Sequence, residues 1–205
     1  MMMNSMHKRN ILISILLIAG IMMFAVIQGV LLPAKEQRQQ AYAKAQLEPS
    51  THDFTQLLPY KSKYMGDAPN LINLFYHLPM GQYGVRFQLY SSTLKAQLNY
   101  QTDVQTIGQE QAETAMIYNA TAAFALIDNL KTIEYTFPSH NTAANPSALA
   151  IKTKYEITRK DIETWYGMPT SQLANPQTWK KKVQQQLTDQ TYIKKAAGTL
   201  LHEIK

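Results

Sequence analysis

The sequence predicts an α+β fold: a four-stranded, mostly antiparallel sheet with helices on one face, preceded by one transmembrane helix. Three observations carry that expectation. Residues 11–32, ILISILLIAGIMMFAVIQGVLL, form a run of 22 without a charge. Two pairs of segments alternate apolar and polar residues with period two, as half-buried strands do. Between those pairs lies a segment with apolar residues at helical spacing.

The apolar run comes first. As a helix with about 1.5 Å rise per residue it extends roughly 33 Å, enough for a hydrocarbon core of ~30 Å. Signal-peptide cores are shorter and end in a small-x-small site. Here Pro33-Ala34-Lys35 puts a cation where a small residue belongs. Length and exit sequence therefore favour an uncleaved signal-anchor over a cleaved peptide. Lys8 and Arg9 precede the run, and Lys35, Arg38 and Lys44 follow it. The positive-inside rule is left ambiguous by that balance. The short tail of residues 1–10 and the absence of cysteine favour a domain outside the cytoplasm, at the cell membrane; a cytoplasmic domain is the alternative.

Residues 33–50 read as a helical stalk of good helix formers, stopped by Glu48-Pro49-Ser50. The α+β domain is expected over 51–170. Asp67 caps a helix with Pro69 in its first turn, and Leu71, Leu74, Phe75 and Leu78 line one side. Pro79 and Gly81 end it. Val85, Phe87 and Leu89 make one strand face, and Leu94, Ala96, Leu98 and Tyr100 the next, joined by a tight turn at Ser91-Ser92-Thr93. Residues 109–130 predict a long helix with Ala112, Met116, Ala120, Ala123, Phe124, Ile127 and Leu130 on one stripe. Ile133, Tyr135 and Phe137 form a third strand. Leu149, Ile151, Thr153, Tyr155 and Ile157 form a fourth, after a polar loop at 138–148. A helix connecting the two hairpins makes one parallel neighbour pair plausible. Thr158 and Asp161 resemble a capping box for a short helix carrying Ile162, Trp165 and Tyr166, ended by Gly167 and Pro169. Residues 171–205 are expected as a C-terminal basic helix opened by Asn175-Pro176, with Trp179, Val183 and Leu187 on one side and Gly198 breaking its end.

The net charge of +6 is uneven. Residues 50–175 carry nine bases and ten acids, whereas the last thirty residues carry six lysines against Asp189 and Glu203. A nearly neutral centre argues against nucleic acid as a partner, because no basic face exists there to meet phosphates. Residues 11–32 meet membrane lipid instead, and an envelope protein or peptide is the other expected partner.

Catalytic signatures are absent. His7, His52, His77, His140 and His202 show no ligand spacing, so no metal and no cofactor is expected. His77 fits the end of a helix, where its cation meets the dipole. No GxSxG, SxxK or CxxC occurs, and no enzyme is expected. Asn119-Ala120-Thr121 matches a glycosylation acceptor but falls inside a helix.

One segment stands out: Leu58-Pro-Tyr-Lys-Ser-Lys-Tyr-Met-Gly-Asp67, running to Asn70-Leu-Ile-Asn-Leu and Leu78-Pro79. Together with Ala122-Ala-Phe-Ala-Leu-Ile-Asp-Asn-Leu, Thr132-Ile-Glu-Tyr-Thr-Phe and Tyr155-Glu-Ile-Thr-Arg159, it resembles an uncharacterised domain family of Gram-positive bacteria, a domain of unknown function, over roughly residues 52–166. The resemblance implies a domain beyond an N-terminal membrane span. It also implies a sensory or accessory role, since some members accompany modules similar to antibiotic-sensing metallopeptidase receptors. It supplies no catalytic residues, and no peptidase module is present here.

The motif itself supports two readings. In the structural one, Tyr60 and Tyr64 anchor the chain, Gly66 makes a positive-φ turn and Asp67 caps the helix. In the functional one, Lys61, Tyr64, Asp67 and Asn70 line a site at the helix N-terminus for an anion or peptide carboxylate. The expected function is a single-pass membrane-anchored extracytoplasmic binding, sensor or accessory domain. The alternative is an assembly subunit that uses the transmembrane helix and a contact stripe of Trp179, Val183 and Leu187.

Overall fold

The computed structural model describes residues 3–139 and 152–204. The chain divides into two compact units, Met1–Lys44 and Ala45–Lys205. In the N-terminal part, helix α1 (Met3–Val26) runs into a π-helical turn (Ile27–Leu31) and then α2 (Leu32–Ala45). Pro33 explains the wide turn. It lacks an N–H, and its ring crowds the carbonyl four residues back. The Leu32 N–H accordingly reaches back five residues to Ile27 O. The helical run Lys8–Ala45 is long and apolar enough to cross a membrane, and none of its apolar stretch is buried in the structure.

The second unit opens with a short 3-10 helix (Phe54–Tyr60) capped by Asp53, followed by α3 (Ala68–His77). Asp67 caps α3 by accepting from Asn70 N, and Leu71, Leu74 and Phe75 are its buried side. His77 ends the helix as the sequence predicts, with Nδ1–H donating to Asn73 O at 2.8 Å. Beyond it Met80 sits in the left-handed region at φ 69°. The turn is pinned from behind by Asn119, which donates to Pro79 O at 2.7 Å. Gly81 is required there, since a Cβ would lie 2.8 Å from Tyr76 O.

Strands β1 (Val85–Tyr90), β2 (Lys95–Tyr100), β3 (Thr132–Pro138), β4 (Lys152–Thr158) and β5 (His202–Ile204) form one mixed sheet in sequence order. Four mostly antiparallel strands were expected, so the sheet has one strand more. β2 and β3 are parallel and the other three pairings antiparallel. The missed strand is three residues, too short to show a period. It is added at the β4 edge by Lys154↔Ile204 and Glu156↔His202. Leu94 belongs to the turn, not to β2: its φ is 54°. The segment 140–148, with Leu149 and Ile151 and with His140, lies outside the described residues.

One sheet face is apolar. Phe87, Leu98, Tyr135 and Tyr155 stand side by side across four strands. The other face is polar and internally paired. Lys95 Nζ lies 2.7 Å from the nearly buried Glu134 carboxylate, and that hydrogen bond raises the Lys95 pKa. Tyr90 OH donates to Gln97, whose amide reaches Asn99 and Thr136.

Helix α5 (Gln109–Leu126) follows the one-turn α4 (Val104–Ile107) after Gly108, whose φ of 98° sets the bend. The expected single stripe is too narrow: α5 is buried nearly all round from Thr114 to Leu126. It lies under the sheet, with Tyr135 OH donating to Met116 O, and also packs on the helices Thr170–Leu173 and Gln190–Leu200. It also stops at Leu126, so Ile127 and Leu130 fall beyond it. Asn119 is fully buried, which removes it as a glycosylation acceptor in the folded chain.

The capping box forms as expected, Thr158 and Asp161 opening α6 (Arg159–Tyr166), and Gly167 closes it at φ 65°. The expected last helix is two. After α7 (Thr170–Leu173), α8 (Pro176–Trp179) continues through a π turn and a 3-10 turn, then stops at Asp189. Asp189 accepts from Thr191 N and Tyr192 N and so starts α9 (Gln190–Leu200). Gly198 lies within α9 and does not end it. This C-terminal segment belongs to the same compact unit as the sheet. Trp179 stacks on Phe54 at 3.9 Å, and Gln184 donates to Pro49 O and His52 O.

His52 is a core histidine. Its Nε2–H donates to His77 O at 2.8 Å, which leaves Nδ1 to accept from Tyr118 OH at 2.9 Å. Burial holds its pKa below the ordinary 6.5. The unfolded chain therefore takes up this proton at higher pH than the folded one. Stability from neutral His52 is complete above pH 6.5 and is lost as pH falls through the folded value. Urea midpoints between pH 7.5 and 5 are expected to fall in wild type and to fall less in His52→Gln. Equal slopes would remove His52 as the cause.

Candidate functional site

The residues expected at the start of α3 do not form a built site. Lys61, Tyr64 and Asp67 are exposed, Tyr64 by 66%. Asp67 spends its carboxylate on the cap, and the Asn70 side chain donates to Tyr60 O at 2.6 Å. Gly66 has no positive φ, and a Cβ there would meet nothing. The Tyr64 side chain makes no hydrogen bond among the described residues. The segment is held instead by its backbone: Ser62 N donates to Leu126 O, Asp128 N to Ser62 O, and Met65 N to Asn129 Oδ1. Tyr60 keeps its structural part, half-buried with its hydroxyl 3.3 Å from His77 Nε2.

The contact stripe expected at the C-terminus is core. Trp179 and Val183 are fully buried and Leu187 nearly so. A one-sided apolar stripe is the same pattern whether it packs on a partner or on its own domain, and here it packs on Phe54 and Tyr118.

A cleft of about 550 Å³ opens between α6 and the C-terminal helices. Its size falls within the range of small-molecule sites. Local sequence positions its walls. The capping box fixes the first turn of α6, so Lys160, Thr164 and Trp165 share the side facing the cleft. The Asp189 cap starts α9 so that Tyr192, Lys195 and Thr199, at helical spacing, face back. Trp165 Nε1 donates to Tyr192 OH at 2.6 Å, and the two rings meet edge to face at 5.5 Å. Lys195 Nζ stands 5.9 Å from the Trp165 ring centroid. Lys182 and Gln186 come from the preceding turns.

The electrostatics are one-sided. Lys160, Lys182 and Lys195 make no ion pair among the described residues. The one carboxylate, Asp161, is already engaged: it accepts from Thr158 N and Oγ1 and lies 3.3 Å from His202 Nε2. Tyr166 adds no charge, because burial raises its pKa well above 10. Such an arrangement can hold a ligand with an anionic end and a planar or apolar body. No group of three or more metal-ligating side chains occurs among the described residues.

Sequence reasoning missed this cleft because its walls lie some thirty residues apart. The available signal was Asp189, an N-cap residue in an otherwise continuous helical stretch. No curated protein and no solved structure matches the chain. Residues 57–158 match the family described as Domain of unknown function (DUF4825), and the cleft's lining residues all lie C-terminal to that match.

Proposed function

We propose that the chain is a single-pass, membrane-anchored domain of a Gram-positive cell envelope, facing away from the cytoplasm. There it binds a ligand in the cleft between α6 and α9, in a sensory or accessory role. The observation that supports anchoring is the helical run Lys8–Ala45, whose apolar stretch is unburied among the described residues. In water that stretch would expose far more apolar surface than a soluble protein carries in one patch. Binding fits the cleft's content, whose lining sets aromatic rings beside lysines. The assembly reading loses its C-terminal contact stripe to the core.

The absence of cysteine makes the orientation directly testable. A single cysteine at exposed Ser92, in the β1–β2 turn, is expected to react with a membrane-impermeant maleimide on intact cells. One at Ser5 is expected to react only after lysis. The reverse pattern would put the domain in the cytoplasm.

A further inference from the structure

We propose that the cleft takes a phosphate-bearing anion, its phosphate among Lys160, Lys182 and Lys195 and its remaining body on the Trp165–Tyr192 ring pair. The inference rests on the reading of this cleft as the binding site and names the class of ligand. Three features point to it. The cations around the cleft are all lysines. A lysine acts as a point charge with rotatable donors and suits phosphate, whereas planar carboxylate recognition favours the arginine fork. Three lysines with no ion pair among the described residues favour a ligand of charge near −2 over a monoanion. Asp161 keeps its negative charge within the capping box, but the three lysines of the lining outnumber that single carboxylate and leave the cleft cationic. Thr164, Gln186 and Thr199 add hydroxyl and amide groups for the polar remainder.

The phosphate can belong to a soluble compound or to the headgroup of a membrane lipid. The protein carries its own reporter for either. Of its two tryptophans, Trp179 is sealed in the core and Trp165 lines the cleft. In the full chain, held in neutral maltoside micelles, phenyl phosphate is expected to change Trp165 emission saturably. Benzyl alcohol and benzoate are expected to do so at least about tenfold more weakly. The double variant Lys182→Gln/Lys195→Gln is expected to weaken phenyl phosphate at least about tenfold, with its thermal midpoint unchanged. Binding is expected to weaken as salt rises.

The source is then separated by adding phosphatidic acid to the micelles, against glycerol 3-phosphate in solution. A response to the lipid alone assigns a headgroup; a response to the soluble compound assigns a free phosphate; both support the proposal. Equal binding of benzyl alcohol or benzoate would overturn the phosphate assignment and leave the cleft standing as a binding site. No saturable response to any of these probes would overturn the phosphate proposal, and the cleft reading is then decided by cross-linking in the native membrane.

Discussion

A chain ended at Ala174 is expected to lose its cooperative unfolding transition altogether. The missing segment supplies Trp179, Val183, Leu187, Ile193 and Leu200 to the core. Burying such side chains is worth about 1.5–3 kcal/mol each, so together they contribute about 10 kcal/mol. That equals the whole stability of an ordinary domain, ~5–15 kcal/mol. The truncation also uncovers Phe54 and Tyr118, which pack on Trp179, and leaves β4 with a bare edge. Thermal and urea unfolding followed by circular dichroism check this. A truncated chain that melts cooperatively within a few degrees of the full one would show that the C-terminal segment is an accessory. The same reasoning applies to residues 57–158 taken alone: the matched family segment lacks α6, α7 and α9, which pack on α5 beside the sheet.

The second large effect is expected at Arg159. Its guanidinium ties three elements together: Nε donates to Leu130 O at 2.8 Å, one terminal nitrogen to Ile127 O at 2.6 Å, and the other to the Thr170 hydroxyl. The two carbonyls belong to the stretch just after α5, where the helix no longer satisfies its own backbone. The group also lies over the Phe124 ring at 5.4 Å. Its side chain is only 19% exposed. Arg159→Ala leaves two inward carbonyls without their charged donor and is expected to cost about 3 kcal/mol. Arg159→Lys keeps the charge but cannot reach three acceptors from one plane, and is expected to recover less than half. Urea midpoints decide the matter; a loss below about 1 kcal/mol for the alanine variant would mean the carbonyls find other donors.

Local signals were legible in the sequence and distant ones were not. The start of α3 follows from Asp67 and Pro69, and the start of α6 from Thr158 and Asp161, because caps act over three or four residues. Strands β1 to β4 showed in their alternation, since each keeps one face on the core. β5 was invisible: three residues pair with β4 only because α9 delivers them there. The break at Asp189 was visible in principle, but the helical pattern on both sides hid it. The candidate site fared worst. Lys61, Tyr64 and Asp67 drew attention as a motif, and the structure gives that motif to backbone stitching and capping. The cleft joins Trp165 to Tyr192 and Lys195, a proximity that only tertiary packing creates.

The most direct test puts the two sites against each other in the membrane. A photo-reactive residue is placed at Thr199, on the cleft, or at Tyr64, beside the start of α3, in the full chain in its native membrane. Light-dependent adducts of one defined mass at Thr199, lost when Lys182 and Lys195 are replaced by glutamine, are the expected result. The same adduct at Tyr64 with none at Thr199 would contradict the account and return the binding site to the helix N-terminus.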